Sequence, residues 1–150
     1  MGLDMYLNKH TYVQHWEHNG DNNYEVTVTK AGKPTNINPK KIKYIIEEAG
    51  YWRKANAIHN WFVENVQKGV DNCGDYYVDT DDLEKLLDAC EKVKADNSLA
   101  DTLLPSASGF FFGGTEYDEW YFNSIDNTID ILKEALADES DSSYYYSSSW

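Results

Sequence analysis

Tyr51-Trp-Arg-Lys-Ala-Asn-Ala-Ile-His-Asn-Trp-Phe-Val-Glu-Asn-Val66 concentrates two tryptophans, a histidine, three asparagines and the only arginine of the chain. Read as one helix at 100° per residue, Trp52, Ala55, Phe62, Val63 and Val66 form an apolar stripe with His59 in its middle. Arg53, Asn56 and Asn60 fall along one edge of the stripe, and Lys54 and Trp61 lie nearly opposite. Arginine presents a planar fork of donors that matches carboxylate and phosphate, and it stands here against twelve lysines. Asparagine is a poor helix former whose amide needs partners, so Asn56 beside Arg53 and His59 marks this stretch as the candidate ligand site. Two plainer readings stand beside it: a core histidine with a hydrogen-bonded ring nitrogen, and an arginine recruited by a structural carboxylate.

Working outward, the preceding segment also reads as helical. Asn38-Pro39 is a cap followed by proline at the first helical position, Ile42, Ile45, Ile46 and Ala49 give a stripe, and Gly50 ends it. The two helices are expected to pack as a pair. Upstream, Leu3, Met5 and Leu7 alternate with polar residues as an early, central strand. His10–Glu17 and Tyr24–Thr29 alternate again around Asn19-Gly20, which predicts a hairpin, and a loop at Gly32 and Pro34 leaves the sheet.

Downstream, the turn-rich Asp71–Asp75 leads into a short strand at Tyr76–Val78. Thr80 is then expected to cap a helix with Leu83, Leu86, Leu87, Cys90 and Val93 inward, its acids first and Lys92 and Lys94 last. Ser98–Leu104 allows a turn or two of helix, and Gly109-Phe-Phe-Phe-Gly113 reads as a short buried strand. Thr115 starts a capping-box-like entry to a long helix through Tyr121, Ile125, Ile129, Leu132 and Leu136. The predicted fold is α+β: an N-terminal hairpin and small, mostly antiparallel sheet packed against about four helices, one domain over residues 1–137. Residues 138–150, rich in Ser and Tyr, read as a mobile low-complexity tail, with docking of its aromatics onto the body as the alternative.

The formal net charge of −13 is unevenly spread. Residues 1–68 carry nine Lys/Arg against seven Asp/Glu, and residues 69–150 carry four against nineteen. That surplus weighs against direct nucleic-acid binding and against anionic membranes, leaving an acidic face that blocks a basic partner protein as one reading. Two cysteines make no disulfide framework, and the chain shows neither a signal-like start nor a window apolar enough to span a bilayer, which predicts a cytoplasmic protein.

Metal chemistry finds little support in the spacing. His15 and His18 would point to opposite faces of a strand, no His-Glu-x-x-His or Cys-x-x-Cys occurs, and Gly74 precedes most of the loop acids instead of following them as in a calcium-binding hand. No cofactor and no metal site is expected. Nor is there a Gly-x-Ser-x-Gly elbow, and Gly113-Gly114-Thr115 lacks the lysine of a P-loop. Metal-free acid/base work by His59 with Asp118 or Glu119 is the enzymatic alternative. A binding site asks for less: a cation for phosphate, amides for base edges and aromatic faces for stacking. Arg53, Lys54, Asn56 and His59 supply the polar part, and Trp52, Trp61, Tyr117 and Trp120 are candidates for stacking.

Gly2-Leu-Asp-Met-Tyr-Leu7, Tyr51–Trp61, Asp71-Asn-Cys-Gly-Asp-Tyr76, and Gly109-Phe-Phe-Phe-Gly113 with Tyr117-Asp-Glu-Trp-Tyr121 resemble the blocks of a family of small proteins encoded by phages and prophages. The blocks span most of residues 2–136 and leave the tail outside. The resemblance implies an accessory protein working in the host bacterial cytoplasm, in a setting where some proteins counter defence by sequestering nucleotide second messengers. It brings no catalytic motif. Together with the residues above, it leads to the expectation of an oligomeric, non-enzymatic protein that binds a phosphate-bearing, nucleotide-like signal. Cleavage of such a ligand by His59 and blockade of a basic host protein are the alternatives.

Overall fold

The computed structural model describes residues 2–109 and 112–150. The fold is α+β, a four-stranded antiparallel sheet backed by helices, with a separate two-stranded ribbon. Strand β1 (Asp4–Tyr12) runs through the sheet interior between β4 (Tyr44–Arg53) and β6 (Ser143–Ser149), and β5 (Tyr76–Val78) closes the far edge. All pairings in this sheet are antiparallel. Helices α1 (Asn56–Asn65), α2 (Thr80–Ala95), the short α3 (Ala100–Leu103) and α4 (Glu119–Ala137) contribute the rest of the core. The ribbon pairs β2 (Thr29–Lys30) with β3 (Lys33–Pro34).

The helix expected over residues 42–49 is a strand instead. Asn38 does cap, its Oδ1 accepting from the Lys40 N–H at 3.0 Å, but only one 3₁₀ turn, Pro39–Lys41, follows. Beyond it Tyr44, Ile45, Ile46, Tyr51 and Trp52 are β-branched or aromatic, the side chains that fit a pleated surface. Their pairing with β1 sets Trp52 beside Met5, inside the core. Gly50 is not a helix stop: it sits opposite Leu7 next to a bulge, and a Cβ there would lie 2.5 Å from Ile131 Cγ2. Its missing side chain lets α4 cross the sheet at close range. The organising stretch is therefore split, its first three residues ending β4 and its helix starting at Asn56.

Other local expectations shift for identifiable reasons. The first alternating run continues into the second only as far as Tyr12, where β1 ends; residues 13–17 and 24–28 are not strand, and the Asn19-Gly20 turn forms no hairpin. Asn23 instead ties that segment into 3₁₀ turns, accepting from the Trp16 N–H at 2.9 Å and donating to the Trp16 carbonyl at 2.8 Å. Asp79, not Thr80, caps α2, its Oδ1 accepting from the Asp82 N–H at 2.8 Å. Asp118, not Thr115, caps α4, accepting from the Tyr121 N–H at 3.1 Å. The apolar stripes of both helices are as expected, with Leu83, Leu86, Cys90 and Val93 facing Ile125, Ile129, Leu132 and Ala135 in one core. Burial pushes the Cys90 thiol up to about 12, which keeps it neutral and inert. The strand expected over Gly109–Gly113 runs across Phe110 and Phe111, which lie outside the described residues.

The largest correction concerns the end of the chain. Residues 143–149, assigned to a mobile tail beyond the domain, form β6 between β1 and β5, so the domain does not stop at residue 137. Tyr146 is fully buried opposite Leu7 and stacks on Phe62 with centroids 3.9 Å apart and planes 9° from parallel. Tyrosine's strand propensity and ring area fill a gap that only the assembled β1 and β5 create. Asp138 anchors the approach to the strand, its Oδ2 lying 2.8 Å from Lys9 Nζ and accepting from Tyr144 Oη at 2.8 Å.

Candidate functional site

The junction of β4 and α1 builds one wall of a cavity of about 490 Å³, and the start of α4 builds the facing wall. Arg53 and Lys54 stand at the mouth of the first wall, followed by residues 55–58 of the α1 N-terminus. Ala55 occupies the N-cap position and has no side chain to satisfy the first-turn N–H groups, so this helix end retains its positive pole. Lys54 takes a left-handed conformation (φ 53°), fixed by donation from its N–H to the Leu3 carbonyl at 2.7 Å. Its stem lies against Gly113, where a Cβ would sit 3.2 Å from Lys54 Cβ. Gly113 itself has φ 85°, so two independent demands require glycine there.

Arg53 is 59% exposed, with Nη1 3.7 Å from Asp4 Oδ1. Asp4 also accepts from the Tyr51 hydroxyl, and this bond raises the Tyr51 pKa. An exposed ion pair at that distance contributes under about 1 kcal/mol, so the guanidinium is steered toward the cavity mouth without being consumed. Both sequence readings of Arg53 are thus compatible: a carboxylate orients it, and the fork remains accessible. Lys54 has no carboxylate within 4.0 Å among the described residues.

Asn56 has a different role from the expected ligand contact. Its Nδ2 donates to the Phe112 and Gly114 carbonyls at 3.1 and 2.7 Å, and its Oδ1 accepts from the Ala107 N–H at 3.0 Å. The buried amide is spent on pinning Ala107, Phe112 and Gly114 to α1, which shapes the cavity wall. Gly114 therefore contributes its carbonyl to Asn56.

The facing wall carries Glu116, Asp118, Trp120, Tyr121, Ser124 and Ile125. Trp120 is 82% exposed, an indole with a free face at the rim. Tyr117 stands behind this wall, its hydroxyl accepting from the Ser106 N–H at 3.2 Å and its ring edge-on to Tyr121 at 4.9 Å. Tyr121 donates to the Leu104 carbonyl at 2.7 Å, and burial holds its phenol well above the usual range. The cavity is consequently polarised, cationic with an uncapped helix end on one side and carboxylates on the other.

His59 and Trp61 are on α1 but outside this cavity. Trp61 packs edge-on against Phe62, 5.4 Å away. His59 is 1% exposed, with Nδ1 2.6 Å from Tyr146 Oη and Nε2 2.9 Å from Asp71 Oδ2. A carboxylate only accepts, which puts a proton on Nε2, and Nδ1 pairs with the Tyr146 hydroxyl, a phenol that burial keeps protonated. Asp71 Oδ1 in turn accepts from Trp150 Nε1 at 3.1 Å. This connected set joins α1, the 71–75 loop and the last strand, and it matches the plainer reading of His59 as a satisfied core histidine. Sequence reasoning missed Tyr146, Asp71 and Trp150 because their meeting depends on β6 entering the sheet.

No family model, curated protein or solved structure matches this chain.

Proposed function

We propose that the protein binds and sequesters a small phosphate-bearing, nucleotide-like molecule in the cavity between α1 and α4, without converting it. One observation carries this reading: Arg53 and Lys54 flank an uncapped helix N-terminus at one wall while the exposed Trp120 stands at the other. A phosphate suits the first wall, where cations and backbone N–H groups converge. An aromatic base suits Trp120, and donor groups of a base or sugar suit Glu116 opposite the cations. The volume is that of a site for a nucleotide-sized ligand. The resemblance to phage-encoded accessory proteins gives the proposal its setting, capture of a host defence signal in the bacterial cytoplasm.

Turnover by His59 receives no support from this arrangement, because its ring nitrogens are engaged by Tyr146 and Asp71 and the ring is not part of the cavity lining. The decisive experiment incubates the protein with a panel of cyclic oligonucleotides and NAD-derived compounds, removes free ligand, heat-denatures the protein and identifies what is released. Intact ligand near one equivalent per site, lost in Arg53→Ala, is the expected result. A converted product would replace sequestration with catalysis. Release of nothing, or equal binding by Arg53→Ala, would overturn the assignment of this cavity.

A further inference from the structure

The second feature is the free edge of the sheet. Strand β4 is terminal in the strand order, and its first half leaves the helices behind: residues 43–48 are all exposed although the strand is paired along its other side. Tyr44, Ile45 and Ile46 are 53%, 39% and 58% exposed, an apolar triplet on a strand whose outer N–H and C=O groups are open. The regular pairing extends one residue earlier, since the Lys43 carbonyl accepts from the Val13 N–H at 2.8 Å.

We propose that a second copy of this chain pairs antiparallel with this edge, about a twofold axis through Ile45. A free edge exposes every second residue's backbone groups, so two identical edges related by a twofold can align only in registers centred on a residue. The register centred on Ile45 sets Ile45 against Ile45, Tyr44 against Ile46 and Lys43 against Glu47, each of the last two pairs occurring twice. Charged residues commonly guard a free edge against pairing. Here the signs are segregated, with Lys40, Lys41 and Lys43 before Ile45 and Glu47 and Glu48 after it, so a twofold turn brings opposite signs together. Neither Lys43 nor Glu47 has an ion-pair partner within 4.0 Å among the described residues, which leaves both available.

The surroundings agree with a second copy as the occupant. Tyr12 and Tyr44 form a ring pair at 5.3 Å, and Trp16 donates to the Tyr12 hydroxyl at 2.8 Å, so an aromatic shelf borders the place where the partner's Ile46 would sit. The interface also lies in the half of the chain that carries nine cations against seven acids, away from the acidic half whose self-repulsion would oppose association. The pairing joins two four-stranded sheets into one of eight strands and covers the β4 edge of each copy at once.

Sedimentation equilibrium of the full chain across roughly 1–100 μM tests the pairing, the range in which reversible dimers of modest affinity dissociate. The wild type is expected to dimerise. Lys43→Glu and Glu47→Lys each create two like-charge contacts and should raise the dissociation constant about tenfold or more, while the double swap should restore it to within about threefold. Ile45→Lys, which places two cations on the axis, should be monomeric with an unchanged circular dichroism spectrum. A monomeric wild type, a dimer indifferent to the single swaps, or a double swap as weak as either single would each overturn the proposal. The swapped positions are exposed, so the charge series stays readable even where Ile45→Lys fails to fold.

Discussion

Helix α1 serves two regions of opposite physical character. At its N-terminal end Arg53, Lys54 and uncapped N–H groups surround an open cavity, with polar capacity left over. One turn further on, His59 has both ring nitrogens paired, the Tyr146 ring stacks on Phe62, and Asp71 holds Trp150. The first region keeps an exposed guanidinium and, among the described residues, a Lys54 ammonium without a carboxylate partner, and it contributes little to stability. The second has its polar groups satisfied and ties three segments far apart in sequence. Unusual residue types therefore mark both a site and a structural joint, and only their hydrogen-bond partners tell the two apart.

The strongest break in this contrast removes the joint. Truncation after Ala137, which deletes β6 from between β1 and β5, should abolish the cooperative thermal transition; a truncated protein that still melts cooperatively would show the strand to be dispensable. Tyr146→Ala comes next, with a loss of about 3–5 kcal/mol for a buried aromatic, measured by urea unfolding. His59→Ala should cost about 1–3 kcal/mol by stranding buried polar groups, and ligand affinity should stay within about twofold because the ring does not line the cavity. At the other region the pattern inverts: Arg53→Ala should change stability by less than about 1 kcal/mol yet weaken binding by tenfold or more.

The smallest effect concerns pH. The Lys9 ammonium, with the Ser140 and Tyr144 donors, holds the Asp138 carboxyl well below the usual carboxylate range. A depressed folded-state pKa contributes stability above the unfolded value, about 3.9, and that contribution is lost as pH falls further. Denaturant midpoints of the wild type and Lys9→Met should therefore converge below about pH 4 and differ at neutral pH. Midpoints that stay equally separated in acid would remove Asp138 from the account.

Much of the helical half was legible because its signals are local. Leu83, Leu86, Cys90 and Val93 on α2, and Ile125, Ile129 and Leu132 on α4, repeat at helical spacing, and their caps moved by only a few residues. The sheet was only partly legible. Leu3, Met5 and Leu7 announced β1 by alternation, whereas Ile42, Ile45, Ile46 and Ala49 are spaced as a helical stripe, and only the β-branched and aromatic side chains of this segment favour a strand. Of the candidate site residues, Arg53, Lys54, Asn56 and Trp120 do converge on one cavity, with Asn56 as its builder. His59 and Trp61 do not line it, because a helix distributes neighbours in sequence around its axis, and Tyr117, ahead of α4, is turned to the Ser106 N–H and the Tyr121 ring instead.

By itself the sequence determined the α+β composition, the acidic second half and the stripes of α2 and α4, all properties of short windows or sums over residues. The tertiary structure decided which residues of 42–53 are strand, that Ser143–Ser149 enters the sheet, and that Arg53 and His59 face different surroundings. These outcomes rest on pairing with β1 and on space left between elements distant in the chain, and no local period encodes a gap that exists only once the fold has closed.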